Sequence, residues 1–151
     1  MADRDDTIDT LNDLIETSLD GAYGFRSLAE EAKSPALKQT FSRRADEIQG
    51  AVSELQREVA AHGGKPEDSG SVAGALHRGW VSVRSVLSTS TDQALLDEAE
   101  RGEDSALAAY RKAAKQDLPA PVRALVERQL QGVQKNHDQI KALRDQHKAL
   151  A

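Results

Sequence analysis

The chain has 151 residues, of which 38% are hydrophobic, 30% charged and 3% aromatic, a balance that fits one globular domain and argues against disorder. A formal net charge of −5 opposes binding to nucleic-acid phosphates, and the lack of cysteine excludes disulfides and thiolate metal sites. No apolar run approaches the ~20 residues that a membrane-spanning helix needs. We therefore expect a cytoplasmic protein whose partners are neither nucleic acids nor membranes.

Apolar residues at three- and four-residue spacing predict a first long helix over about residues 6–33, capped by Asp6 or Thr7. Ser34 and Pro35 then end this helix and start the next, because proline suits the first turn of a helix. The second helix is expected over about 36–62, ending at Gly63 in the left-handed cap conformation. So short a connection makes the two helices antiparallel neighbours.

Residues 64–91 form a longer connection, in which the pattern predicts a short helix over 72–88. Ser90 and Gln93 have the spacing of a capping box for a third long helix over about 91–116. Prolines 119 and 121 separate it from a fourth helix over about 121–149. The long connection can carry the chain back along the bundle, which would make the second and third helices parallel, as in ferritin-like folds. The sequence thus predicts an all-α, single-domain four-helix bundle over residues 1–151.

Polar residues interrupt or flank the apolar seams near the middle of all four helices. In a bundle of equal helices, such residues share one layer, and a layer of carboxylates and imidazole suits iron or manganese. The candidate metal ligands are Glu16, Glu47, Glu103 and His137.

The sequence lacks both Glu-x-x-His pairs of a ferritin-like di-metal centre. The fourth helix offers Gln134 three residues before His137, and the second helix has no histidine. The alternative is a structural polar layer held by hydrogen bonds and ion pairs. In that case Glu103→Leu should be neutral or stabilising, whereas at a metal site it should abolish metal uptake.

Glycines recur near the middle of the long helices, each costing ~1 kcal/mol relative to alanine. Two interpretations are open: a close approach of the backbone around a site, and tight packing between helices. The glycines are Gly21, Gly24, Gly50, Gly102 and Gly132.

The predicted helix over 72–88 is apolar around most of its circumference. Its apolar residues cannot all lie in the ~100° stripe that packing on a bundle would cover, so part of this surface should be exposed. The predicted interface residues are Trp80, Leu76 and Val83, with Trp80 as the anchor of a contact with a protein partner or a second copy of the chain.

Three stretches of this chain resemble a bacterial family, a domain of unknown function classed with ferritin-like four-helix bundles. The resemblance implies the fold and no established activity. The stretches are Thr10 to Glu16, Gly63 to Trp80, and Glu98 to Asp104.

Two hypotheses follow for the function. The first is a non-enzymatic bundle that acts through protein–protein contact or self-association, with no cofactor expected. The alternative is a ferritin-like metal-binding protein with a degenerate carboxylate and histidine site for iron or manganese.

Overall fold

The computed structural model describes residues 3–70 and 91–150, and these ranges contain four long helices. None of the four is long and apolar enough to cross a membrane. Each helix end lies within two residues of its predicted position, whereas the helix predicted over 72–88, with Trp80, Leu76 and Val83, lies outside the described residues. The helices are α1 (Arg4–Glu31), α2 (Pro35–Ala61), α3 (Asp92–Ala114) and α4 (Ala120–Ala149).

Two of the predicted helix ends are confirmed in atomic detail. Ser34 caps α2, with its hydroxyl accepting a hydrogen bond from the backbone N–H of Leu37, and Pro35 occupies the first turn. Gly63 follows the C-terminus of α2 with φ +79°, a conformation that favours glycine.

The predicted cap of α1 is wrong. Helix α1 begins earlier than expected, and Asp3, instead of Asp6 or Thr7, accepts hydrogen bonds from the first-turn N–H groups. Thr7 instead donates its hydroxyl to the backbone carbonyl of Asp3. At α3 the side chain of Thr91 caps by accepting from Ala94 N–H, and the predicted cap Ser90 lies outside the described residues.

Hydrogen bonds between helices fix their directions. Asp92, at the start of α3, accepts from the backbone N–H groups of Lys33 and Ser34, where α1 gives way to α2. Ser18 of α1 meets Tyr110 near the end of α3. Helix α3 therefore runs antiparallel to α1 and parallel to α2, which confirms the predicted crossover.

The four helices occupy the corners of a square. Backbone packing joins α1 to α2, α1 to α3, and α3 to α4. The fourth side, α2 against α4, is closed by side chains: Arg128 binds Glu54, with Nη2 2.6 Å from Oε2, and Gln129 donates to the carbonyl of Ala51 at 3.3 Å. Helices α2 and α3 consequently lie at opposite corners, across the core from each other.

A buried chain of hydrogen bonds runs through all four helices at one level. Tyr110 donates its hydroxyl hydrogen to Oε1 of Gln129 at 2.7 Å, so Ser18 must act as the donor in its 3.5 Å contact with the tyrosine oxygen. Gln129 passes the chain on to Ala51 of α2. Burial raises the pKa of Tyr110 above its ordinary value, so this hydroxyl stays a donor at neutral pH.

The mid-helix glycines line a cavity of about 860 Å³ to which all four helices contribute. At Gly24, Gly50, Gly102 and Gly132, an added Cβ would have no described atom within 4 Å, and at Gly21 it would meet Ile48 at an ordinary 3.6 Å. Among the described residues, neither close backbone approach nor tight helix packing therefore requires glycine at these positions.

Alanine at Gly102 and at Gly132 should stabilise the protein by about 1 kcal/mol each, since the helix gains propensity and the methyl group meets no described atom. Urea unfolding followed by circular dichroism measures the change. Gly64→Ala is the matched control and should destabilise, because its Cβ would lie 2.8 Å from Ile8. A loss of stability in Gly102→Ala would mean that the glycine is needed for packing.

Candidate functional site

The centre of the bundle holds an ion pair between opposite corners. Arg44 of α2 donates from Nε to Oε1 of Glu103 of α3 at 3.0 Å and from Nη2 to Oε2 at 3.4 Å. The two side chains are 9% and 1% exposed. Both carboxylate oxygens of Glu103 are therefore engaged by one guanidinium group.

Burial is the dominant influence on Glu103 and raises its pKa above the ordinary value, although the charge and hydrogen bonds of Arg44 oppose this. Arg44 also lies over the ring of Phe25, 6.0 Å from its centroid, a distance at which an aromatic face attracts a cation. The guanidinium thus has a carboxylate and an aromatic ring as its partners inside the core.

The two predicted ligands from α1 and α2 do not join Glu103. Glu16 lies at the level of Ala109 to Ala113 of α3, with which it lines a second cavity, and this is roughly 9–15 Å along the helix from Glu103. Glu47 is exposed on α2, and it is close enough for its charge to help raise the pKa of Glu103, but both oxygens of Glu103 are bound by Arg44. Because Ser18 stands opposite Tyr110, the middle of α1 faces the second half of α3 and lies outside the layer of Glu103.

His137 lies at the level of Glu103 but faces the neighbouring residue. Its Nε2 is 2.5 Å from Oδ1 of Asp104, and its side chain is 14% exposed. One residue along a helix is a rotation of about 100°, so Glu103 faces the core while Asp104 faces α4. The centre, with Arg44 on Glu103, therefore does not fit a metal ion ligated by these four residues.

Two carboxylates and one imidazole, all common metal ligands, lie close together at the edge between α3 and α4. Glu100 and Asp104, one turn apart on α3, and His137 of α4 each offer one donor atom, and these atoms all lie within 4.8 Å of one another. Glu100 is 14% exposed and contacts Arg144 of α4, whereas Asp104 is 57% exposed. We call these three residues the edge cluster.

Further polar residues orient the imidazole of the edge cluster. Nδ1 of His137 lies 3.3 Å from Oδ1 of Asp138, and Gln134 donates to the same oxygen at 3.0 Å. Arg111 of α3 holds Gln134 in turn, at 2.9 Å. Partial burial of His137 opposes its charged form, but the hydrogen bonds to Asp138 and Asp104 prevail and raise its pKa above the ordinary value.

The sequence interpretation identified His137 and Glu103 and missed the partners that decide what each does. Arg44 precedes the core residue Ala45 and reads as a surface residue beside the seam. A usable signal existed for the edge cluster, because Glu100 and Asp104 are four residues apart and so lie on one helix face.

The chain belongs to the family described as Domain of unknown function (DUF2383), whose model matches residues 6–116. The matched range contains Arg44, Glu100, Glu103 and Asp104, and it ends before α4. The matched range therefore spans the residues of the central ion pair and those of the α3 side of the edge cluster. No curated protein sequence matches the chain significantly.

Among solved structures, the chain is similar to a mutant of Dps1 from Mycobacterium smegmatis. The TM-score is 0.76 at 17% sequence identity, covering 95% of this chain and 99% of that one. This similarity confirms the ferritin-like four-helix bundle. At such low sequence identity, the similarity shows the fold and nothing about function.

Glu103→Leu alone should lower the free energy of unfolding by about 3–5 kcal/mol, because it leaves the Arg44 guanidinium buried without its counter-charge. Because Arg44 is buried with Glu103, we no longer expect Glu103→Leu to be neutral or stabilising. The double variant Arg44→Met with Glu103→Leu should be close to the wild type or more stable. Urea unfolding at pH 7 measures all three proteins.

The partly exposed pair Glu54 and Arg128 provides the control, and Glu54→Ala should cost no more than about 1 kcal/mol. A Glu103→Leu protein as stable as the wild type would contradict the assignment of Arg44 as the buried partner.

Proposed function

We propose that this member of the DUF2383 family binds one divalent transition-metal ion at the edge cluster, without catalysing a reaction. The observation that carries the proposal is the convergence of Glu100, Asp104 and His137 from two helices, with donor atoms within 4.8 Å of one another. The rest of the site supports this assignment by its chemistry.

The donor set suits ions such as iron, manganese or zinc. Two carboxylate oxygens and one imidazole nitrogen are the mixed ligands that these ions accept in proteins. Ligand distances of about 2.1 Å place two ligands at most about 4 Å apart, so small side-chain rotations would close the cluster around an ion. Asp104 is 57% exposed, which leaves that side open to solvent.

Asp138 supports a metal-binding role for His137. A metal-ligating histidine usually donates its other ring N–H to a carboxylate, which fixes the tautomer and the ring orientation. Asp138 lies at Nδ1 of His137 in this way, while Nε2 faces Asp104. An ion bound there would connect α3 to α4 and stabilise the folded state by mass action.

Asp104→Asn should weaken binding of Zn²⁺ and Mn²⁺ at least about tenfold, since an amide oxygen carries no charge to offset that of the ion. Isothermal titration calorimetry at pH 7.5 on protein stripped with a chelator measures affinity and stoichiometry, with one ion expected per chain. Saturating Zn²⁺ should raise the melting temperature of the wild type and leave that of Asp104→Asn nearly unchanged.

Asp13→Asn is the matched control, because Asp13 belongs to an acidic row on α1 that would attract cations non-specifically. It should bind as the wild type does. If Asp13→Asn and Asp104→Asn lose the same amount of affinity, the loss reflects the change in net charge and not the loss of a ligand. If the wild type binds neither Zn²⁺ nor Mn²⁺, the proposal is wrong.

A second candidate function is contact with a protein partner or a second copy of the chain through residues 72–88. Among the described residues, the large hydrophobic side chains that are exposed are Tyr23 and Leu150, so that part of the surface offers little apolar area for docking. The predicted helix over 72–88, in contrast, has more apolar residues than one packed stripe can cover.

Trp80→Ala should shift the protein to a smaller species in analytical ultracentrifugation, with its helical circular dichroism unchanged, if Trp80 anchors an interface. A loss of stability with unchanged sedimentation would instead assign the tryptophan to the core. A wild type that is monomeric at high concentration would count against self-association.

A further inference from the structure

Arg144 of α4 contacts the edge cluster through Glu100. Its Nη1 contacts Oε2 of Glu100, an oxygen that is buried from solvent. A guanidinium group so placed supplies the positive charge that an ion would otherwise bring. Oε2 of Glu100 has no hydrogen-bond partner among the described residues, so Arg144 balances its charge without donating a hydrogen bond to it.

Arg144 has a second carboxylate within reach on its own helix. Its Nε and Nη2 donate to Oδ1 of Asp145 at 3.0 Å and 2.8 Å, while Nη1 alone reaches Glu100. Asp145 is 56% exposed, and its contact with the guanidinium does not depend on α3. Arg144 can consequently give up Glu100 and keep two of its hydrogen bonds.

We propose that Arg144 is a resident cation that an incoming metal ion must displace from Glu100, with Asp145 retaining the guanidinium afterwards. This inference rests on the proposed metal site. Metal binding is then an exchange of one cation for another, and the contact between Arg144 and Glu100 sets the ion concentration at which the exchange occurs. The buried oxygen of Glu100 has a positive partner in both states.

Arg144→Gln should bind Zn²⁺ about tenfold more tightly than the wild type, because the ion no longer competes with a charge for Glu100. Arg144→Lys keeps the charge and should bind nearly as the wild type does. Arg101→Gln is the matched control, since Arg101 is 66% exposed on α3 and pairs with Glu98 outside the cluster. It changes the net charge equally and should leave the affinity within about twofold.

Asp145→Asn gives an independent test from the other side of the exchange. Without this carboxylate, Arg144 has less to hold it away from Glu100, so Zn²⁺ should bind more weakly than in the wild type. In the wild type, Zn²⁺ should also shift the Nε–H resonance of Arg144 in ¹H–¹⁵N spectra, and in Asp104→Asn it should not.

The outcomes separate this inference from the metal site itself. If Asp104→Asn binds Zn²⁺ like the wild type, the proposed site is wrong and Arg144 has no role in it. If Asp104→Asn loses binding while Arg144→Gln binds no more tightly than the wild type, the site stands and the exchange is refuted. Weaker binding by Arg144→Gln would refute it too, because Arg144 would then be holding Glu100 in place for the ion.

Discussion

The ion pair between Arg44 and Glu103 is the constraint to which the rest of the bundle conforms. It joins the two helices that do not pack against each other, and it does so through the core. A buried pair of this kind adds little net stability, because desolvation of both charges offsets their attraction. Its effect is on register, since sliding α2 along α3 by one turn would strand both charges in apolar surroundings.

The same pair determines which side chains are left as candidate metal ligands. A ferritin-like centre places carboxylates at the middle of the bundle, and here the carboxylate of Glu103 is already bound by a guanidinium group. The neighbouring residue Asp104 faces α4, where it lies close to Glu100 and His137. The residues of the proposed metal site thus lie at the edge of the bundle, where Asp104 is 57% exposed to solvent.

The sequence predicted the helices and their connectivity because these follow from local signals: apolar spacing, Ser34 with Pro35, and Gly63. It placed His137 and Glu103 in one layer correctly, but it did not identify Asp104 as the partner of His137. Which of two adjacent carboxylates, Glu103 or Asp104, meets His137 depends on helix rotation, and three- and four-residue spacing leaves this uncertain by about one residue. The level of Glu16 depends on how far α1 is shifted along its axis relative to α3. The spacing of apolar residues within one helix carries no information on this shift.

The anchors of the chain at both ends of the crossover have a consequence for how this protein can vary. Asn12 of α1 accepts from the backbone N–H of Glu67 and donates to the carbonyl of Lys65, while Asp92 binds the backbone at Lys33 and Ser34. The register of the two helical hairpins is therefore set by contacts on either side of residues 68–91. Proteins of this family that differ in the length of this connection should accordingly keep the same register between the two hairpins, provided that they keep these anchors.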